Sequence, residues 1–176
     1  MISPHCSDEH RWCGDLEGED PVWTMLSRWR EQYDRVMRWH ARITEATVVD
    51  ERHLDDFHAF FIRCLHLKDW LKADRTLADA VKRGAEELVN TDEWLRLCAD
   101  VANGSKHLRI DRERLDAYAH LDKTEWVIED AERGVTSVSL AVVRADPIGE
   151  WLALTVANKC AAAWEAFLRE RRLLGP

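Results

Sequence analysis

The sequence has no long hydrophobic run and no surplus of basic residues, and each absence excludes a class of function. No stretch of the 176 residues approaches the roughly 18 uncharged apolar residues that mark a membrane-spanning helix. The first twenty residues lack the basic and then apolar pattern of a signal peptide, so we expect a cytoplasmic protein without membrane contact. The formal net charge of -8 argues against non-specific nucleic-acid binding, because neutralising phosphates requires surplus Lys and Arg.

Common catalytic and cofactor motifs are also missing. The sequence contains no glycine-rich phosphate loop and no Gly-x-Ser-x-Gly turn. It contains no Glu-x-x-His pair of the kind that di-iron helical bundles use, and Asp55-x-x-His58 has that spacing without an equivalent partner motif. The sequence therefore predicts neither a cofactor nor a bound metal.

The five cysteines are scattered, with no Cys-x-x-Cys pair, which makes a disulfide framework improbable. Cys6 and Cys13, flanked by His5 and His10, do not have the spacing of a common structural zinc site, and they favour a loose N-terminal tail. The other three fall on apolar helical stripes, where a free thiol behaves as a small buried hydrophobic side chain. These three are Cys64, Cys98 and Cys160.

The composition is that of a globular protein, with 46% hydrophobic and 33% charged residues and nine Trp. Its length suits one domain with a single core. Residues 1–20 are polar and acidic and lack periodic apolar positions. We therefore predict a flexible N-terminal extension at residues 1–20 and a single helical-bundle domain at residues 21–176.

Apolar residues at helical spacing predict four to five helices. The first covers about 21–47, and the second, which follows an Asp50 N-cap, is apolar enough to be central. A third covers about 75–89, a fourth follows a Thr91 N-cap, and the last runs from Asp146-Pro147 to about Leu173.

Between the last two helices the period changes to the alternation of β-strands. Residues 124–130 and 135–143 alternate on either side of a turn, which predicts a β-hairpin. The predicted fold is therefore mostly all-α, an up-and-down helical bundle with an inserted hairpin near 124–143.

Two polar clusters interrupt the apolar helical sequence, one at residues 66–70 and one at residues 100–107. In the second, Asp100, Asn103 and His107 lie at i, i+3 and i+7 and share one stripe, while the apolar residues of the same helix share another. We expect a helix with two distinct faces. The predicted site lies where the second helix meets the end of the fourth.

The segment Ala102-Asn103-Gly104-Ser105-Lys106-His107 resembles the signature of the HEPN superfamily. These are small helical-bundle proteins, many of them RNases in toxin–antitoxin and phage-defence systems. Their signature is an Arg, often followed by Asn, His or Asp, then three to five more residues and a His. Asn103 and His107 match this signature, whereas Ala102 stands where the Arg would be.

The resemblance implies that Arg and His from two subunits of a homodimer converge on an RNA phosphate. Cleavage by the ribose 2′-OH requires a proton acceptor with a near-neutral pKa and a cation for the developing charge. The resemblance thus assigns acid/base transfer to His107, orientation to Asn103, and the cationic role to Lys106, or to Arg63 or Lys68 of another helix. The remaining predicted substrate-binding residues are His66, Lys68, Asp69 and Asp100.

A structural interpretation of the same residues stays open. Asn103-Gly104 could cap the fourth helix, and Asp69 could pair with Lys106 or His107 in a buried network that fixes the packing of the helices. The protein would then be a non-catalytic interaction module whose exposed aromatic residues bind a protein partner.

Two further alternatives concern ligands other than RNA. An enzyme acting on a small metabolite predicts an enclosed pocket that is lined by Trp70 and Trp94, with the polar residues at its floor. A metal site with two histidines and two carboxylates would require the second and fourth helices to be neighbours. Its ligands would be His66, Asp69, Asp100 and His107.

Overall fold

The computed structural model describes residues 28–46, 49–104, 118–130 and 134–175. Five helices and three strands lie within these ranges, so the mostly helical class is confirmed. The predicted N-terminal extension lies outside the described residues, and the domain boundaries stay predictions. In chain order the elements are α1 (Arg28–Glu45), α2 (Glu51–Ala73), α3 (Asp79–Thr91), α4 (Glu93–Gly104), β1 (Tyr118–Asp130), β2 (Gly134–Asp146), β3 (Gly149–Leu152) and α5 (Ala153–Glu170).

Helix α2 is the central element, as its apolar sequence predicts. It contacts α1, α3, α4, α5 and β1, and its Phe57, Phe60 and Phe61 side chains are buried. The predicted N-cap is confirmed, because the Asp50 carboxylate accepts a hydrogen bond from the His53 backbone N–H at 2.9 Å. This bond satisfies one of the N–H groups that the first turn of a helix leaves without an intrahelical partner.

The N-cap of α4 is Asp92, and the prediction of Thr91 was wrong. Thr91 is the last residue of α3, where its hydroxyl donates to the Glu87 carbonyl at 2.9 Å. The Asp92 carboxylate accepts from the backbone N–H groups of Trp94 at 3.0 Å and Leu95 at 2.9 Å. A carboxylate is favoured here because it also carries a negative charge at the positive end of the helix dipole.

Gly84 lies inside α3 and marks the place where this helix comes close to α5. A Cβ atom added at Gly84 would lie 3.1 Å from Cε2 of Phe167. A residue that weakens helices is therefore tolerated at a position where any side chain would crowd an aromatic ring.

The sheet is longer than predicted. β1 and β2 pair antiparallel over their whole lengths, from Tyr118 opposite Asp146 to Asp130 opposite Gly134. The sheet packs against the helices through small residues. Ala119 and Ala145 are register partners, and both are completely buried. β1 contacts α4 and β2 contacts both α4 and α5.

A third strand was not predicted, and the predicted start of the last helix at Asp146-Pro147 was wrong. Residues 149–152 pair with β2 to complete a three-stranded sheet in the order β1-β2-β3, and α5 begins only at Ala153. Pairing with β2 explains why these residues form a strand and not the first turns of the helix. Within this pairing, Glu150 forms an ion pair with Arg144 on the opposite strand. Four residues give too short an alternation to be recognised without the partner strand.

None of the described helices is both long enough and apolar enough to cross a bilayer.

Candidate functional site

Helix α4 carries Asp100 to Gly104, the part of the second polar cluster that the structure describes, and other elements surround it. Every residue from Leu97 to Ala102 is buried, because α4 contacts α2, α3, α5, β1 and β2. Over these residues both the polar and the apolar stripe that the sequence predicts are therefore enclosed.

Asp100 lies within this enclosed part of α4. Among the residues that the structure describes, it is the only one with a charged side chain that is 0% exposed. A buried carboxylate is costly unless polar groups compensate it, so its presence in an apolar helix requires specific partners. Asn103, in the last turn of α4, is half-buried. The stripe from Asp100 to Asn103 thus runs from the core towards the surface.

Lys106 and His107, which complete the predicted site, lie outside the described residues. Ala102, where the HEPN signature has Arg, is described and is completely buried within the hydrophobic core. A guanidinium at this position would lie among apolar side chains. Any phosphate-binding cation of this protein must therefore come from another residue.

The first polar cluster lies on α2, which packs against α4 as the predicted site requires. The Lys68 ammonium donates to the Asp69 carboxylate at 2.7 Å, and their side chains are 13% and 53% exposed. Because Asp69 is more than half exposed, the structure does not favour a buried network built on it. Lys68 already has a carboxylate partner, and His66 is half-buried on the same helix.

A shallow cleft of about 300 Å³ lies beside Trp70. Trp94 is not part of its lining, since the Trp94 ring packs edge-to-face on Trp151 with centroids 6.4 Å apart. The structure thus gives no support to a pocket shared by the two tryptophans. The residues that line the cleft are Arg28, Asp69, Trp70, Ala73 and Asp74.

The predicted metal set gains no support from the carboxylates that the structure describes. Asp100 lies in the core, whereas Asp69 lies at the surface and is paired with Lys68. His107 of the same set lies outside the described residues.

A cluster of three cysteines, here called the thiol cluster, lies where α2, α4 and α5 meet. Cys64, Cys98 and Cys160 are all completely buried free cysteines, and their three Sγ atoms lie within 4.8 Å of one another. The Cys98 thiol donates to the Phe61 carbonyl at 3.4 Å, and the Cys160 thiol donates to the Trp94 carbonyl at 3.2 Å. The sequence correctly predicts that each thiol is buried. It gives no sign that they converge.

Comparison of the chain with protein-family models, with curated proteins and with solved structures gives no match. A functional assignment therefore depends on the side chains of this chain and on the chemistry that they can perform.

Proposed function

We propose that the protein is a divergent HEPN-like protein that binds or slowly cleaves RNA at residues 100–107, beside α2. The observation that carries this proposal is the completely buried carboxylate of Asp100, one helical turn before Asn103. A buried carboxylate can orient a histidine imidazole and stabilise its protonated form, which is what acid/base transfer by His107 would require.

Lys106 is the phosphate-binding cation in this proposal, with the exposed Arg63 of α2 as the alternative. Ala102 lies in the core, and Lys68 is paired with Asp69. A lysine contacts phosphate as a point charge and lacks the two-pronged geometry of arginine. We therefore propose that catalysis is weak compared with a site that contains the signature Arg, or that only RNA or nucleotide binding remains.

The proposal includes an up-and-down arrangement of the helices and a site completed across a homodimer interface. Contacts between consecutive helices, α1 with α2, α2 with α3 and α3 with α4, support the first part. The second part comes from the resemblance, as does a role in a toxin–antitoxin or defence system. Sedimentation of the purified chain tests the dimer directly.

The central experiment measures cleavage and binding of short single-stranded RNAs by the wild-type chain and His107→Ala. We expect the wild-type chain to yield products with 2′,3′-cyclic phosphate ends or to bind the RNAs, and the variant to lose both without a change in melting temperature. The matched control is His58→Ala, which removes a half-buried histidine about 12 Å along α2 from His66.

Two results would count against the proposal. If the wild-type chain neither cleaves nor binds RNA under reducing conditions at low salt, the polar segment is not a nucleic-acid site. If His107→Ala lowers the free energy of unfolding by several kcal/mol, the segment is a structural network, and the non-catalytic interaction module becomes the better interpretation.

A further inference from the structure

The thiol cluster has the dimensions of a three-coordinate metal site. A metal ion about 2.3 Å from each of three sulfur atoms places those atoms roughly 4 Å apart. The Sγ atoms of Cys64, Cys98 and Cys160 already lie within 4.8 Å of one another. Contraction by less than about 1 Å, within reach of side-chain adjustment, would bring all three to bonding distance.

The donor set selects for a particular kind of ion. Thiolate ligands favour soft ions such as Cu(I), whereas structural zinc sites use four ligands. Among the residues that the structure describes, no histidine or carboxylate adds a fourth ligand atom to the group. An all-sulfur, three-ligand site that is closed to water suits Cu(I) better than Zn(II).

The three thiols also influence one another's ionisation. Burial opposes ionisation of Cys64, but the neighbouring Cys160 and Cys98 thiols, together with the Trp164 indole and the charge of His40, lower its pKa to about 5. Burial raises the pKa values of Cys98 and Cys160, and the proximity of Cys64 raises them further.

The hydrogen bonding of one side chain next to the thiol cluster is incomplete. The indole N–H of Trp164 is completely buried and has no hydrogen-bond partner of normal geometry, although it lies close enough to favour the Cys64 thiolate. A buried donor without a good acceptor is costly, and this one belongs to the largest of the fully buried side chains. Movement of the sulfur atoms on metal binding would change this contact.

We propose that Cys64, Cys98 and Cys160 form a binding site for one Cu(I) ion in the core, between α2, α4 and α5. Binding of the ion forms three Cu–S bonds and breaks each S–H bond that the three cysteines still hold, because the thiolate is the form that binds a metal. The protons pass to solvent, the copper stays Cu(I), and no electron is transferred.

The test uses the full-length chain with Cys6→Ser and Cys13→Ser, which leaves only the three core thiols. The reduced chain is incubated with Cu(I) without oxygen and then challenged with a coloured Cu(I) chelator. We expect one Cu(I) per chain, retained against the chelator, and a higher melting temperature because the ion binds only the folded chain. Loading should be slow, since the ion can enter only when the helices open locally.

Removing one ligand distinguishes a metal site from a change in packing. Cys98→Ala in the chain without Cys6 and Cys13 should weaken retention of Cu(I) at least about tenfold. Changes next to the metal ligands already weaken metal binding by about this factor, and loss of a ligand should do no less. Val101→Ala, which trims another buried α4 side chain and keeps all three thiols, should retain the ion. X-ray absorption of the loaded chain should show three sulfur neighbours and no nitrogen or oxygen.

The proposal fails if the folded chain without Cys6 and Cys13 binds no Cu(I), or if it retains Zn(II) more tightly than Cu(I). It also fails if Cys98→Ala retains the ion as well as Val101→Ala does. Should Cys98→Ala not fold, the X-ray absorption result decides, because a shell with fewer than three sulfur atoms contradicts the site by itself.

Discussion

The two candidate sites of this protein are built in opposite ways. The polar site is a continuous segment of sequence, residues 100–107, of which Asp100 to Gly104 belong to α4. The thiol cluster combines single residues from three helices and is completely buried. A site that is local in sequence can be recognised before the fold is known. A site assembled by tertiary packing cannot be recognised in this way. Once the fold is available, however, such a site can be the more completely defined of the two.

Helix α4 contributes to both sites within five residues. Cys98 joins the thiol cluster, Asp100 is the buried carboxylate, and Ala102 occupies the signature position of the missing Arg. A thiol is a small, weakly polar group that an apolar core accepts without special compensation, whereas a carboxylate is not. Substitutions at these three positions therefore distinguish effects on core packing from effects on polar function.

The largest effect is expected from Ala102→Arg, which restores the HEPN signature. The position is completely buried, so the guanidinium must enter the core or force the helices apart. We expect a loss of more than about 4 kcal/mol in the free energy of unfolding, measured by urea denaturation. The control Ala162→Arg, at an exposed position on α5, should change it by less than about 0.5 kcal/mol. A stable variant that cleaves RNA faster would show that position 102 opens onto the site.

Asp100→Asn is expected to have the next largest effect. The amide keeps the shape of the carboxylate but removes its charge and turns one acceptor into a donor. Because the side chain is completely buried, partners of the carboxylate would be left poorly satisfied, at a cost of about 1–3 kcal/mol. A change below about 0.5 kcal/mol in chemical denaturation would show that no charged group depends on this residue.

A pH effect should identify the thiolate in the cluster. The lowered pKa of Cys64, about 5, means that the folded chain binds fewer protons there than the unfolded chain between pH 5 and an ordinary thiol pKa near about 8.5. Stability from this group is complete above the unfolded pKa and is lost as the pH falls through about 5. Cys98 and Cys160, whose pKa values are raised, stay protonated in both states over most of this range.

The measurement compares the free energy of unfolding of the wild-type chain and Cys64→Ala at several pH values from 5 to 8. The difference between the two should increase with pH, by at most about 1.4 kcal/mol per pH unit. A difference that does not vary with pH would show that Cys64 is a thiol throughout.

Much of the helical fold follows from periodicity. The central position of α2, its Asp50 cap and the burial of Cys64, Cys98 and Cys160 were predicted correctly from apolar spacing and capping residues. The start of α5 was not, because residues 149–152 become a strand only through pairing with β2. Local sequence cannot report that pairing, since the partner strand supplies the hydrogen bonds.

The candidate sites show the same limit. The sequence placed the polar site at the contact of α2 with α4, and these helices do pack together. It could not show that α4 is surrounded by three helices and two strands, and that Asp100 and Ala102 are both completely buried. It also could not show that three apolar stripes meet at the same level of the core. Both facts depend on the relative positions of elements that are distant in sequence.

The smallest expected effect concerns Asp69→Asn, which removes the carboxylate that pairs with Lys68. The Lys68 side chain is mostly buried, but the Asp69 carboxylate is more than half exposed and water screens the pair, so the free energy of unfolding should fall by about 1 kcal/mol at most. The control Glu31→Gln breaks the exposed Arg35–Glu31 pair on α1 and should have a similarly small effect.

RNA affinity gives the sharper readout for the same pair of variants. If Lys68 lies close enough to contact a phosphate, its release in Asp69→Asn should tighten RNA binding and steepen the salt dependence by about one unit of slope, whereas Glu31→Gln should leave both unchanged. Equal affinities for the two variants would exclude Lys68 from the site. The cationic role would then rest on Lys106, inside the continuous segment that the sequence pattern identifies, or on Arg63 of α2.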